Sequence, residues 1–159
     1  MAKLNYNHKL TSVHRKNGYT LALHTNDHDM VWIQLKHKGK PVGDVNFRVH
    51  GKAGQMTSVN PWAASLDEQH RGKGLGFRMY DAGLEYAKKL GVKEVRGGPH
   101  SEDAHRVHQK LAQKYGVEYT YKTLARPSTV PIATTDGVGY VKQPYGRYSY
   151  PLGKAEVAW

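Results

Sequence analysis

The stretch Gln69-His70-Arg71-Gly72-Lys73-Gly74-Leu75-Gly76 decides how the chain is interpreted. Its three glycines stand immediately before a segment with helical periodicity. Glycine lets the backbone approach a ligand closely, and the first turn of a helix presents N–H groups without intrahelical partners. The helix dipole and the cationic side chains of Arg71 and Lys73 reinforce the attraction for an anion. The stretch therefore predicts a site for a pyrophosphate group.

Two common nucleotide-binding patterns do not fit this stretch. The Walker pattern requires Ser or Thr after Gly-Lys, whereas Gly72-Lys73 is followed by Gly74. The dinucleotide fingerprint requires two residues between its second and third glycines, and only Leu75 separates Gly74 from Gly76. The predicted pyrophosphate therefore belongs to a ligand other than those that these two patterns bind.

Two helices are predicted downstream of this stretch. Gly74–Leu90 carries an apolar stripe at helical spacing and is followed by Gly91 at the C-terminal cap position. Ser101 caps a second helix that has acidic residues in its first turn and ends at Gly116. A short strand, Val92–Arg96, separates the two helices.

The remaining segments predict strands on both sides of the helices. Residues 1–17 are polar, and the alternation that follows predicts a meander of four strands: Tyr19–Thr25, Met30–His37, Pro41–His50 and Met56–Leu66. Val117–Thr123 and Arg147–Leu152 are predicted as the last two strands, and Ala125–Gly146, rich in Gly, Pro and Thr, as a long loop between them. The expected fold is one α/β domain over residues 1–159, with a mixed, mostly antiparallel sheet of about seven strands.

Two motifs resemble those of a known family. Arg71-x-x-Gly74-x-Gly76, after a strand ending at Ser65-Leu66, resembles the coenzyme A loop of the GNAT superfamily of N-acyltransferases. Ser101-x-x-Ala104-x-x-Val107-His108 stands where that family has a helical motif reading roughly Asn-x-x-Ala-x-x-Leu-Tyr. The resemblance implies a GNAT-like fold with helices after the fourth and fifth strands, and transfer of acetyl from acetyl-CoA to a primary amine.

The resemblance also implies which residues contact acetyl-CoA. The pantetheine arm would lie on the splayed fourth strand around Ala64–Leu66, and the acetyl group between the fourth and fifth strands. The implied cofactor-binding residues are Ser65, Leu66, Arg71, Gly72, Lys73, Gly74, Leu75, Gly76, Ser101 and Ala104.

The catalytic residues depart from the family pattern. His108 replaces the tyrosine that usually protonates the thiolate, and histidine can supply a proton near neutral pH. Alternatively, His108 only packs near the cofactor. Asp67 and Glu68 are candidates for the general base, and Glu68 is the one we retain. Their alternative role is to balance the basic loop, and water-mediated deprotonation would make a base unnecessary.

The N-terminal half is shorter than in the family. Two helices normally follow the family's first strand and wall the acceptor site, but the segment between Thr25 and Met30 has no room for them. We therefore expect an acceptor site that is open or built from Ala125–Gly146.

Composition limits the partners. Lys and Arg number 24 against 13 Asp and Glu, giving a formal charge of +11, which favours an acidic or nucleic-acid-associated acceptor. The alternative function is a catalytically impaired GNAT-fold protein that grips a nucleic acid or a macromolecular partner through its basic surface. Basic residues interleave with six tyrosines that either stack bases or belong to half-exposed strands: Tyr119, Tyr121, Tyr140, Tyr145, Tyr148 and Tyr150.

Other functional classes are disfavoured. The chain has no cysteine and no apolar run near the roughly 20 residues of a membrane span, so we expect a cytoplasmic protein without a membrane partner. His100, His105 and His108 suggest a metal site, but no fourth ligand is evident, and we predict none. The acceptor and the oligomeric state are left open by the sequence.

Overall fold

The chain folds into one eight-stranded sheet that carries two helices on the same face. The computed structural model describes residues 9–26, 30–52, 55–134 and 137–152. In chain order the elements are β1 Lys9–Lys16, β2 Tyr19–Thr25, β3 Met30–His37, β4 Lys40–Lys52, β5 Gln55–Leu66, a one-turn 3-10 helix Glu68–His70, α1 Leu75–Lys89, β6 Glu94–Gly97, α2 Glu102–Tyr115, β7 Thr120–Thr134 and β8 Gly137–Pro151.

The strand order is β1-β2-β3-β4-β5-β6-β8-β7, and every neighbouring pair is antiparallel except β5 with β6. The predicted meander, the mixed and mostly antiparallel sheet, and the helices on either side of the short strand β6 are confirmed. The structure also confirms the short connection from Thr25 to Met30, and no helix precedes Glu68 in the described part of the chain.

The predicted strand count was too low because β1 was missed. Lys9–Lys16 pairs along β2 through the turn at Asn17 and Gly18, yet Leu10 is 59% exposed. An edge strand with several cations and little burial lacks the apolar alternation by which strands are recognised, although edge lysines are what protect a sheet from further pairing.

The predicted loop Ala125–Gly146 was wrong. This segment forms most of a long hairpin in which β7 pairs with β8, from Thr134↔Gly137 at the tip to Thr120↔Ser149 at the base. Pro127 and Pro131 suggested a loop, but β7 is the edge strand, where a residue without an N–H donor is tolerated.

The core lies between the sheet and the two helices. Phe47 on β4 is fully buried, and a Cβ on Gly83 of α1 would lie 2.3 Å from its ring, so a glycine is required for this close approach. Leu84 and Leu111 are also fully buried, and each such side chain contributes about 1.5–3 kcal/mol through its removal from water.

A buried carboxylate links the two helices. Asp81 of α1 is fully buried, pairs with Lys114 of α2 and accepts a 2.8 Å hydrogen bond from the Tyr115 hydroxyl. Because a buried charge is tolerated only with such partners, this contact fixes α2 against α1 and, with it, the position of the residues that α2 contributes to the site.

Candidate active site

The glycine loop, Arg71–Gly76, adopts a backbone that only glycine adopts easily. Gly72 and Gly74 have φ of +77° and +76°, and Gly74 is the N-cap residue of α1. A Cβ built on Gly72, Gly74 or Gly76 meets no atom within 4 Å, so open space faces the loop at all three positions. The loop therefore leaves its backbone open to close approach by a ligand.

The N-terminus of α1 that follows this loop is electrostatically positive. No side chain caps it, no acidic residue lies in its first turn, and Arg78 N–H, bonded to Gly74 O at 3.1 Å, is the first amide in the helical ladder. Lys73 is exposed beside it. Because uncapped amides and the helix dipole both favour a negative group, this end of α1 suits a phosphate or pyrophosphate.

Arg71 makes a contact within the protein that the sequence did not predict. Its Nε donates a 2.9 Å hydrogen bond to the carbonyl oxygen of Leu66, which ties the end of β5 to the glycine loop. The side chain remains exposed. Arg71 therefore orders the loop, and its contact with a pyrophosphate stays a prediction.

The residue before the glycine loop anchors it, and sequence reasoning missed this. His70 is buried and its Nδ1 lies 2.7 Å from the Tyr19 hydroxyl on β2. Asp67 N–H donates to Val42 O at 2.8 Å, holding the other end of the 3-10 turn on β4. No local motif could reveal the His70 contact, because Tyr19 is 51 residues away.

A splay opens between β5 and β6. The two strands pair only at Ser58↔Glu94 and Val59↔Val95, whereas β5 remains paired with β4 as far as Leu66. Beyond Val59 the β6 side of β5 has no strand partner among the described residues, and Ala64 and Ser65 are exposed there. An extended ligand could form backbone hydrogen bonds along this edge.

Ser65 already uses its hydroxyl on the sheet. It donates a 2.6 Å hydrogen bond to Asp44 Oδ1, and Trp32 Nε1 donates to Asp44 Oδ2 at 3.0 Å. Asp44 is buried. These contacts fix the β5 backbone at the splay, and direct contacts of Ser65 and Leu66 with a cofactor stay predictions.

The N-terminus of α2 is capped from within. Ser101 Oγ accepts a 3.2 Å hydrogen bond from Ala104 N–H, and Glu102 and Asp103 lie in the first turn. The predicted capping role of Ser101 is confirmed. Contacts of Ser101 and Ala104 with a cofactor stay predictions.

The two predicted catalytic residues lie in different environments. Glu68 is exposed in the 3-10 turn beside the glycine loop, whereas His108 on α2 is only 1% exposed. Burial, reinforced by His100 and His105, lowers the pKa of His108 to about 3, and its Nδ1 lies 2.7 Å from the Tyr150 hydroxyl. His108 is therefore neutral at pH 7, and its role as proton donor stays a prediction.

His108 belongs to a larger His–Tyr cluster that the sequence did not predict. Its members come from α2, from the segment after β6, from the residue just before β7 and from β8, and their rings pack on one another: His100, His105, His108, Tyr119, Tyr145, Tyr148 and Tyr150. Four of the six tyrosines considered for base stacking are thus committed to this cluster, while Tyr140 is 71% exposed on the hairpin. Within the described ranges, no group of three or more His, Asp or Glu residues is arranged to hold a metal ion.

Comparisons with solved structures show the same fold in known acetyltransferases. The GNAT acetyltransferase of Elizabethkingia anophelis with acetyl-CoA bound is 14% identical, with a TM-score of 0.55, over 87% of this chain and 100% of that chain. The ribosomal-protein-S18-alanine N-acetyltransferase of Escherichia coli is 16% identical, with a TM-score of 0.54, over 85% of this chain and 76% of that chain.

A third similar structure is the diaminobutyrate acetyltransferase of Paenibacillus lautus in complex with its substrate and coenzyme A. It is 16% identical, with a TM-score of 0.54, over 84% of this chain and 75% of that chain. No curated protein sequence matches the chain. Among the described residues, neither helix is long and apolar enough to cross a membrane.

The sequence profile of the acetyltransferase (GNAT) family matches residues 4–112. This range contains β1 to β6, the glycine loop, the splay and the greater part of α2. The chain belongs to the GNAT acetyltransferase family.

Proposed function

We propose that this protein is an N-acyltransferase that transfers the acetyl group of acetyl-CoA to a primary amine. The observation that carries the proposal is the pairing of an uncapped α1 N-terminus behind the glycine loop with the splay between β5 and β6. The first is suited to a pyrophosphate and the second to an extended pantetheine arm, and Leu66 and Arg71 join the two through one hydrogen bond. Coenzyme A has both parts in this order.

The residues of the glycine loop would bind the negatively charged phosphates of the cofactor. The amides at the start of α1 and the side chain of Lys73 would neutralise the two phosphates, and the backbone of Ala64–Leu66 would align the arm. When bound, acetyl-CoA supplies the thioester whose carbonyl carbon the amine attacks. Transfer would require an amine that has lost its extra proton, and a proton for the thiolate that leaves when the C–S bond breaks.

The charge of the protein indicates only the class of amine that it would accept. With a formal charge of +11, the protein should attract an amine carried by an acidic or nucleic-acid-associated partner. A protein that only grips a partner through its basic surface is less well supported, because that function would need neither the open loop nor the splay.

Calorimetry with acetyl-CoA, coenzyme A and acetyl-pantetheine tests the cofactor half of the proposal. We expect both coenzyme A species to bind and acetyl-pantetheine, which lacks the pyrophosphate, to bind at least about tenfold more weakly. Equal binding of all three, or no binding at millimolar concentration, would refute the assignment of the glycine loop.

Transfer is tested separately by following release of the free coenzyme A thiol with a panel of amines. The panel contains a polyamine, a peptide with a free N-terminus and an acidic peptide with a free lysine. Acceleration by any amine supports transferase activity, and a preference for the acidic peptide that weakens with salt supports the charge argument. Binding of coenzyme A without transfer to any amine would support the non-catalytic alternative.

A further inference from the structure

The strands β5 and β8 both continue past the end of β6, the strand that separates them. β6 ends at Gly97, whereas its parallel neighbour β5 continues from its last pair with β6, at Val59, to Leu66. β8 is antiparallel to β6 and extends past the same end, from Tyr148 back to Gly137. The edges of β5 and β8 therefore flank one gap, on the line that β6 would have followed, and the splay is the β5 side of this gap.

The edge of β8 that faces this gap is open over most of its length. A single bridge between Tyr145 and His100 follows the ladder with β6. Over residues 137–143, β8 pairs only with β7 in the described part of the chain. Successive residues of an antiparallel strand direct their backbone N–H and C=O groups to opposite sides, so alternate residues of this stretch direct them away from β7. These groups are available for pairing with another strand.

The two edges of the β7–β8 hairpin differ in their protection against pairing. The outer edge belongs to β7, which contains Pro127 and Pro131 and lacks their N–H donors. Residues 137–143 of β8 contain no proline. Proline commonly protects the edge of a sheet, because an open edge is a template for a further strand. The hairpin is thus protected on its outer side and open on the side of the gap.

The hairpin also lacks the support of a neighbouring strand. From Ser128↔Gln143 to Thr134↔Gly137 its two strands are paired only with each other, as far as the structure describes the chain, and residues 128–131 are all exposed. An isolated two-stranded hairpin is marginally stable in water, whereas three strands with an apolar face can be stable. A partner that adds a strand would therefore stabilise the hairpin on which it binds.

The side chains of the open stretch indicate the chemistry of such a partner. Val138 and Tyr140 are 70% and 71% exposed, and Lys142 is exposed two residues farther along, so the three share one face of the strand. Every charged residue in the described parts of β7 and β8 is an exposed cation: Lys122, Arg126, Lys142 and Arg147. A strand that carries acidic and apolar side chains would complement this edge.

We propose that residues 137–143 of β8 form the docking site for the acceptor, where an extended acidic peptide adds as a strand and brings its amine into the gap. The inference rests on the proposed acetyl transfer. It goes beyond it by naming a peptide as the class of acceptor and by giving the conformation in which the peptide binds. The pantetheine arm and the peptide would use the two facing edges of one gap, which brings the thioester and the amine together.

Other occupants fit this edge less well. Lys142 is the one cation within the open stretch, so a nucleic acid that stacked a base on Tyr140 would find few phosphate contacts beside it. A second copy of the chain would carry the same formal charge of +11. A row of backbone N–H and C=O groups is complementary to another extended backbone.

The first test needs neither cofactor nor activity. The probe is a short peptide of alternating Glu and Val, with a free N-terminal amine and one lysine. Amide hydrogen exchange of the full chain, followed by NMR, should slow at least about tenfold at alternate residues within 137–143 when the probe is bound. The β7 amides that face away from β8 should keep their rapid exchange. No slowing in this stretch, or equal slowing of those outer amides, would overturn the docking site.

Methylation of the probe backbone separates strand pairing from charge attraction. N-methylation at successive positions removes one N–H at a time and leaves every charge in place. Calorimetry should find the affinity lowered about 3- to 10-fold at alternate positions and nearly unchanged between them, because only every second N–H faces β8. A peptide held by charge alone would show no such alternation, and the proposal would then be wrong.

Variants of the protein identify the edge that the probe contacts. Lys142→Glu should weaken probe binding about 3- to 10-fold at low salt, whereas Lys110→Glu, which changes an exposed lysine on α2, should have little effect. Tyr140→Ser replaces an exposed side chain, so the variant should fold, and it should also bind the probe more weakly. Equal losses in the two lysine variants, or displacement of the probe by a thymidine oligonucleotide, would count against a peptide site on β8.

Release of the coenzyme A thiol then connects docking with transfer. The probe should be acetylated with a kcat/KM at least about tenfold above that of spermidine, an amine without a peptide backbone. If the probe is acetylated but N-methylation has no effect, the docking site fails and the proposed function stands. If the probe protects β8 but neither amine is acetylated, the proposed function fails, and the edge is a peptide-binding surface and not an acceptor site.

Discussion

The two helices of this protein begin in opposite ways. α1 starts at Gly74, which has no side chain to cap it, with no acidic residue in its first turn and with Lys73 exposed beside it. α2 starts at Ser101, whose Oγ caps Ala104 N–H, and has Glu102 and Asp103 in its first turn. One helix leaves its positive end unneutralised, and the other neutralises it from its own sequence.

The difference teaches where a ligand is needed. Orphan amides at a helix start are normally satisfied by a side chain, by water or by a ligand. α2 follows the structural solution and leads into the His–Tyr cluster. α1 has no capping side chain, although such a residue would stabilise the helix. A bound anion that takes the place of the cap would explain this absence. The contrast is testable at each end.

Acid should produce the largest effect, and it should act mainly on the α2 side. Burial lowers the pKa of His108 to about 3, below the value of 6.5 in an unfolded chain. Between these values the unfolded chain binds the proton more readily, so the free energy of unfolding is fully present above pH 6.5 and falls as the pH drops. The loss from His108 alone reaches about 4–5 kcal/mol at the bottom of this window.

Urea unfolding between pH 4 and pH 8 measures this dependence. His108→Phe should flatten the slope of stability against pH, whatever it does to stability at pH 8. Leu111→Ala on the same helix removes no titratable group and should lower stability at every pH with the slope retained. An unchanged slope in His108→Phe would contradict the assignment of the proton uptake to this ring.

Giving α1 the acid that it lacks should cause the next largest effect. Gly76 does not require a positive φ, and a side chain there meets open space, so Gly76→Asp can be accommodated. The carboxylate should stabilise the helix start by about 0.3–1 kcal/mol while repelling the pyrophosphate. Coenzyme A affinity should fall at least about 100-fold, or roughly 2.7 kcal/mol.

Gly76→Ala is the control for the loss of glycine alone. It should share the gain in thermal stability and keep more of the affinity, as read by calorimetry. Gly76→Asp with wild-type affinity would break the contrast between the two helix ends.

Removing the α2 cap should cost less and should affect a different quantity. Ser101→Ala should lower the free energy of unfolding by about 1 kcal/mol, and Ser101→Asp, which retains a capping oxygen, should not. If Ser101 is purely structural, coenzyme A affinity stays within about twofold in both variants. A larger loss in Ser101→Ala would instead support the cofactor contact predicted from the motif.

The smallest effect should come from a single exposed cation. Lys73→Met should weaken coenzyme A binding by about two- to fivefold at low salt and by less at high salt, because exposed charges are screened. Lys89→Met, at the other end of α1, should leave affinity unchanged. Equal losses in both variants would indicate a general field and not a contact at the loop.

Prediction from sequence succeeded where the pattern is local. Each of these patterns lies within a short stretch of sequence: the apolar stripe and glycine boundary of α1, the cap of α2, and the alternation of β2 and β3. The glycine loop was found in the same way. The proposal that it is an anion site rests on helix geometry that any sequence with these glycines would share.

Prediction from sequence failed for exposed strands and for contacts between residues that are far apart in the sequence. β1 and the outer part of the β7–β8 hairpin are exposed, so they show no apolar alternation. The His70–Tyr19 and His108–Tyr150 contacts join residues 51 and 42 positions apart. The His–Tyr cluster could not be recognised, because a list of histidines and tyrosines does not say which rings meet.

Because β5 and β6 pair at only two positions, we expect the two parts of the sheet on either side of them to fold at different times. In β1 to β5 each strand pairs with its neighbour in sequence, so we expect this meander to form early. β6 is held mainly by β8, and it must wait for the chain to reach Tyr148–Pro151. Pulsed hydrogen exchange should protect the amides of Ile33 and Val45 before that of Val95, and the reverse order would exclude this sequence of events. We therefore expect the opening proposed to hold the pantetheine arm to be the last part of the sheet to form.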